Sequence, residues 1–276
     1  MRDQGNFYPL IFIKLGGSLI TEKAKPLTAR QDVLERAAKE ISQVWFQNPS
    51  LHLLIGHGSG SFGHSEAKKY NTQDGIRDPA GWMGFARVWY AANLLNRMVI
   101  NALQQQGLPA LAFSPLSMII SHNKRITAWN IQPLRAALDA RLLPVIQGDV
   151  IFDEMLGGCI LSTEDLFVHL VPYFQPQQVL LAGIEPGVWA DYPVCTRLLD
   201  VISPSTDLFS HHANSSLQGS RAPDVTGGMA AKVKQSLAMI QSSSSTEVYI
   251  FSGEKEKAIE NALQGKPQGT KITAAP

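Results

Sequence analysis

The sequence is poor in cysteine, in excess charge of either sign and in long apolar runs, and each shortage closes off a class of protein. Only Cys159 and Cys195 occur in 276 residues, far apart and in no C-x-x-C pattern, so neither a disulfide framework nor a zinc site is supported. A reducing, cytoplasmic setting is expected. Lys and Arg number 24 against 23 Asp and Glu, leaving a net charge of +1, so no overall field recruits nucleic acid or an anionic membrane. An anionic ligand must be held locally. No apolar run approaches the ~18 residues needed to cross a bilayer, and the stretch from Tyr8 to Ile13 is cut by Lys14 with no small-residue cleavage site after it. A Walker sequence G-x-x-x-x-G-K-[ST] is also missing, because Gly265-Lys266 is followed by Pro267.

The chain has 45% apolar and 17% charged residues, the composition of a folded protein. At about 150 residues per domain its length fits one large or two modest domains. Short apolar runs at Leu10–Leu15, Leu51–Ile55, Leu143–Ile146, Val179–Ala182 and Val248–Phe251 end at glycine or a polar turn and suit buried parallel strands. Helical periodicities lie between them, over Val33–Val44, Phe85–Leu103 and Met229–Ile240. Thr163 is placed to cap a further helix carrying Leu166, Phe167 and Leu170, which Pro172 is expected to terminate. Strands alternating with helices imply right-handed crossovers and an α/β fold, a mostly parallel central sheet covered on both faces. Ligands of such sheets sit at the carboxyl ends of the strands. The polar stretch from Ser203 to Asp224 is long enough to act as a lid.

Glycine-rich turns follow the strands. In Lys14-Leu-Gly-Gly-Ser18, with Thr21 and Lys23 beyond, two glycines allow close backbone approach and successive amides form an anion-binding nest. Gly56-His-Gly-Ser-Gly-Ser-Phe-Gly-His64 contains Gly58, Gly60 and Gly63 in the G-x-G-x-x-G spacing of dinucleotide sites, yet no strand precedes Asp78 to supply the ribose-binding acid. The turn therefore reads as a phosphate site, with His64 placed to donate to an anionic oxygen. Gly148-Asp149 ends a strand, and Ser162-Thr-Glu-Asp165 opens a helix, where Glu164 reads as a first-turn acid and Asp165 as the more functional carboxylate. Val225-Thr-Gly-Gly-Met-Ala-Ala-Lys232 opens another, with Lys232 one turn inside. Several phosphate-binding turns and three lysines without a nucleophile motif indicate phosphoryl transfer by positioning and charge neutralisation.

In this order the motifs resemble those of the amino acid kinase superfamily and, within it, the isopentenyl phosphate kinases, over nearly the whole chain. Gly60-Ser-Phe-Gly-His64 is the most specific of them. The resemblance implies a three-layer α/β/α sandwich in which residues 1–175 form the acceptor lobe and 176–276 the ATP lobe. It implies transfer of the γ-phosphoryl group of ATP, with Mg2+ and no protein-held metal, to isopentenyl phosphate in a homodimer. ATP would meet Lys14, Gly16, Gly17, Ser18, Gly60, Gly183, Gly228 and Lys232. Lys23 would neutralise transition-state charge and Asp165 would orient the lysines. His64, with Ser59, Gly63 and Ser162, would hold the acceptor phosphate. Two features depart from the family pattern: Ser59 replaces a glycine, and Ala182-Gly-Ile-Glu-Pro-Gly-Val188 stands where many relatives carry Thr-Asp-x-Asp-Gly-Val.

The helix from Trp82 to Trp89 is a candidate wall for a short isoprenoid tail, with ordinary core packing as the alternative. A fosfomycin-type kinase would share the fold and the phosphate donor and differ in the acceptor. A nucleotide sensor would lack turnover.

Overall fold

The computed structural model describes residues 9–70, 75–76, 78–206 and 228–274, and at His64 the backbone alone. Most of the expected lid, and Thr226-Gly227, lie outside the described residues. In chain order the elements are β1 (Leu10–Leu15), α1 (Gly17–Ile20), α2 (Gln31–Gln47), β2 (His52–His57), α3 (Gly60–Tyr70), α4 (Pro79–Gln105) and β3 (Ala110–Ala112). Then come β4 (Ile119–His122), β5 (Arg125–Trp129), α5 (Gln132–Asp139), β6 (Leu143–Gln147), β7 (Asp149–Asp153), β8 (Gly157–Leu161) and α6 (Thr163–Phe174). The last are β9 (Gln178–Gly183), β10 (Val201–Ile202), α7 (Gly228–Ser242), β11 (Glu247–Ser252), α8 (Ala258–Leu263) and β12 (Thr270–Ile272).

An eight-stranded sheet runs β10-β12-β11-β9-β1-β2-β6-β3, and within it only the β11 and β12 pair is antiparallel. The period-two alternation of β1 shows why both faces need cover. Ile11, Ile13 and Leu15 pack with buried residues of α2, α4 and α8, while Leu10 and Phe12 pack with those of α5, α6 and α7. Three layers result, as expected. The five apolar runs all become strands of this sheet, lengthened by a residue or two at most positions.

Sequence periodicity did not reveal the second sheet, β5-β4-β7-β8, whose strands are short and mostly antiparallel. Its turns are clamped by Asp153, which accepts from the amides of Asn123 at 3.0 Å, Lys124 at 2.8 Å and Leu156 at 2.9 Å. The start of α6 also differs from expectation. Ser162, not Thr163, is the cap, and the Thr163 hydroxyl instead donates to the carbonyl of His57 at 2.6 Å, tying the helix to β2. Pro172 falls inside the last turn, and the helix ends two residues later at Phe174. A proline weakens the turn that contains it without stopping the chain at its own position.

Candidate active site

β1 and β2 are parallel neighbours, with Lys14 opposite Gly56 and Leu15 opposite His57, so their glycine-rich exits emerge side by side. The two turns interlock. A Cβ on Gly17 would lie 2.4 Å from the amide nitrogen of Gly60, and one on Gly60 only 2.2 Å from the Thr21 hydroxyl oxygen. Gly60 also has φ of +49°, a conformation side chains disfavour. Thr21 joins the turns, its hydroxyl donating to Gly17 O at 2.7 Å and accepting from Ser61 N at 3.0 Å. On the other side Gly16 N donates to Ala182 O of β9 at 2.8 Å, leaving no room for a side chain.

These turns open on a cavity of about 370 Å³ at the carboxyl end of the sheet, within the range of small-ligand sites. Twelve of the fourteen residues expected at the site line it. From β1 and its exit come Lys14, Gly16, Gly17, Ser18 and Lys23; from the second turn, Ser59, Gly60 and Gly63; from the far side, Ser162, Gly183, Gly228 and Lys232. His64 lies on α3, one turn past Gly60, and its side chain is outside the described residues. Asp165 does not line the cavity.

Glu164 and Asp165 exchange the roles expected of them. Asp165 closes a capping box, accepting from Ser162 N at 2.8 Å and from the Ser162 hydroxyl at 2.7 Å, and it also accepts from the Gln235 amide of α7. Among the described residues it pairs with no lysine. The carboxylate paired with the Lys14 ammonium is Glu164, buried at 3% exposure. Burial pushes the Glu164 carboxyl upward, but Lys14 and the charge of Lys232 hold it below the usual range, so an ionised carboxylate is paired with Lys14 in the field of Lys232. The reason is periodic: at the N3 position a side chain turns back over its own cap, whereas its neighbour at N2 points into the cleft. The sequence carried the signal, an acid one residue before the box-closing one.

A polar group underlies the second turn. Along β2, Leu53 and Ile55 face the α2 and α4 layer and His57 follows in step; its Nε2 accepts from the Asn96 amide of α4 at 3.0 Å. Burial drives the His57 pKa down to about 4, so the ring is neutral. Opposite His57 in register is Gln147, and two residues on is Asp149, buried at 1% exposure. Burial raises the Asp149 carboxyl to about 7.

The apolar wall comes from Ala67, Val88, Ala92 and Ile160. Phe85 stands behind it, packed with Val88, Val150 and Ile76. Trp82 and Trp89 are 39% and 36% exposed and do not reach the cavity, so the aromatics expected as a wall support it from outside. Among the described residues no cluster of three His, Cys, Asp or Glu side chains could hold a metal ion, and no helix is long and apolar enough to cross a membrane.

Comparison with known proteins decides the family, since the amino acid kinase family model matches residues 9–252. This chain belongs to the amino acid kinase family. It is 35% identical to the isopentenyl phosphate kinase of Methanothermobacter thermautotrophicus over 275 residues, covering 96% of this chain and 99% of that one. It is 31% identical to the isopentenyl phosphate kinase of Methanocaldococcus jannaschii, covering 95% and 98%. A crystal structure of an isopentenyl phosphate kinase superposes with a TM-score of 0.81 at 30% identity, covering 96% of this chain and all of that one. The amino acid kinase fold, with its largely parallel central sheet, is therefore the fold of this molecule.

Proposed function

We propose that this chain transfers the γ-phosphoryl group of ATP to isopentenyl phosphate, releasing isopentenyl diphosphate and ADP. The observation that carries the reading is a buried carboxylate paired with Lys14 and in the field of Lys232, beside a cavity bounded by two interlocked glycine turns. A monophosphate acceptor already carries a nucleophilic oxygen, so no strong base is needed. The barrier is the approach of two anions, which fixed cations and amides lower.

In this reading the amides of Gly17 and Ser18 and the ammonium of Lys14 receive the donor phosphates beside Gly16, whose own amide is held by Ala182, and Lys232 holds the β- and γ-phosphates from α7. Lys23, exposed at the cavity rim, neutralises charge as the bond to ADP lengthens. Ser59 and His64 take the acceptor phosphate beside Gly63, Ser162 lines the cavity with both of its donors held by Asp165, and Glu164 sets Lys14 and Lys232 at their positions. The acceptor binds on the side of residues 1–175 and the nucleotide on the side of 176–276, where Gly183, Ile184 and Glu185 line the cavity. Mg2+ fits as a partner of the triphosphate, whose oxygens and water supply most of its ligands; it would neutralise charge there. Ala67, Val88, Ala92 and Ile160 offer a five-carbon tail a short apolar wall. The outer face of α4, where Met83 and Tyr90 are 54% and 55% exposed, supports a homodimer, and the unpaired Cys159 and Cys195 support a cytoplasmic setting.

The test is ADP release from Mg-ATP with isopentenyl phosphate, dimethylallyl phosphate and fosfomycin in parallel, on the wild type and on His64→Ala. Turnover of the isoprenoid monophosphates that falls at least a hundredfold in the variant, with ATP binding retained, is expected. Turnover of fosfomycin alone would reassign the acceptor, and full activity in His64→Ala would remove that residue's role.

A further inference from the structure

Ser59 lines the cavity, and among the described residues its backbone N–H meets no acceptor. The carbonyl of the same peptide unit, Gly58 O, is held from below by the His57 ring, whose Nδ1 lies 3.1 Å away. A carbonyl oxygen can only accept, so Nδ1 carries the proton. Burial keeps the ring neutral, which leaves Nε2 bare to accept from the Asn96 amide at 3.0 Å. One tautomer is thus selected from both sides. Asn96 stands one turn past Ala92 on the α4 face that lines the cavity. His57 is anchored in turn, its own carbonyl accepting from the Thr163 hydroxyl at 2.6 Å and the Gly148 amide at 3.2 Å. Gly58 has no slack either: its N–H donates to Leu15 O at 3.0 Å, and a Cβ on it would lie 2.7 Å from Gly17 N. The Gly58–Ser59 bond is trans, and a trans peptide sets its N–H antiparallel to its C=O. With Gly58 O drawn to a fully buried ring that does not line the cavity, the Ser59 N–H is turned the opposite way, toward the cavity.

We propose that His57 is a positioning residue of the phosphoryl transfer: Asn96 selects its tautomer, and the ring fixes the Gly58–Ser59 peptide so that the Ser59 amide donates to the acceptor phosphate. This rests on the reading of the cavity as the site of transfer to a monophosphate. A donor aimed before the ligand arrives needs no reorganisation as charge develops.

The test compares His57→Asn with His57→Gln in the whole protein, with Mg-ATP and isopentenyl phosphate. The side-chain nitrogen of Asn takes the place of Nδ1, whereas that of Gln reaches the place of Nε2. Packing alone would favour Gln, the closer to histidine in size; positioning favours Asn. His57→Asn is expected to keep kcat/KM for isopentenyl phosphate within about tenfold of wild type, and His57→Gln to lose about a hundredfold, the usual effect of one transition-state donor, with ATP affinity retained in both. Asn96→Leu, which leaves the tautomer unselected, should lose about tenfold. The reverse ranking of the His57 variants, equal values in the two, or a matching loss of ATP affinity overturns the proposal. A wild type without turnover removes the acceptor reading and not the positioning. In that event, or if a His57 variant fails to fold by circular dichroism, the Ser59 amide proton is followed by NMR in protein carrying isotope-labelled serine as inorganic phosphate is added, its signal assigned by loss in Ser59→Ala. A downfield shift in the wild type that shrinks in Asn96→Leu supports the positioning; an unmoved proton, or an equal shift in that variant, overturns it.

Discussion

Glu164 is the residue on which the site's charge balance turns. A carboxylate taken out of water tolerates ionisation only beside compensating cations, and Lys14 and Lys232 supply them. Glu164→Gln would keep the shape and release both ammonium groups from their common anchor. We expect kcat to fall about a hundredfold or more, with a smaller change in the ATP KM, as steady-state assays would register. His57 invites a prediction of another kind. Its pKa is depressed to about 4 by burial, so between pH 6.5 and 4 the unfolded chain takes up a proton that the folded chain refuses, and stability falls with pH across that window. The contribution is about 3 kcal/mol at its full extent. Chemical denaturation of His57→Gln at pH 7 and pH 5 should show a shallower acid loss than the wild type. An equal loss would place the acid sensitivity elsewhere.

At the scale of elements, the opening of α6 is fixed by a closed set of hydrogen bonds. Ser162, Asp165 and Gln235 satisfy one another across α6 and α7, next to the Glu164 that faces the cavity. Asp165→Ala is expected to cost about 1–2 kcal/mol, the usual worth of a cap with an added partner, read as a lowered melting temperature. Its kcat should stay within about tenfold of wild type, which separates a capping role from a catalytic one. Much of this level was legible in the sequence. Strands of continuous apolar residues announced the parallel sheet, and glycine pairs at their ends announced the turns that line the cavity. What periodicity could not reveal was the choice between adjacent acids, which depends on which position of a helix's first turn each occupies. Nor could it reveal the second sheet, whose four- and five-residue strands owe their order to Asp153 and to neighbours distant in sequence.

For the whole molecule, β1 is shared property. It pairs with β2 on one edge and β9 on the other, so residues 1–175 and 176–276 cannot separate without tearing the middle of one sheet. We expect a single unfolding transition in urea, coincident by far-ultraviolet circular dichroism and by the fluorescence of tryptophans spread from Trp45 to Trp189. Saturating ATP, at about a hundred times its Kd, should move that transition as a unit by about 2.7 kcal/mol. Two resolved transitions, only one of them responsive to ATP, would show the halves to be independent.

The hydroxyl of Thr21 belongs to the same picture. One oxygen atom is at once donor to the first glycine turn and acceptor from the second, and neither glycine can be widened. It works as the pin of a caliper. The spacing of the two turns is gauged by the polypeptide before any ligand arrives, so under the proposed reading a reactant of the wrong reach would meet a fixed span instead of a loop that adjusts to it.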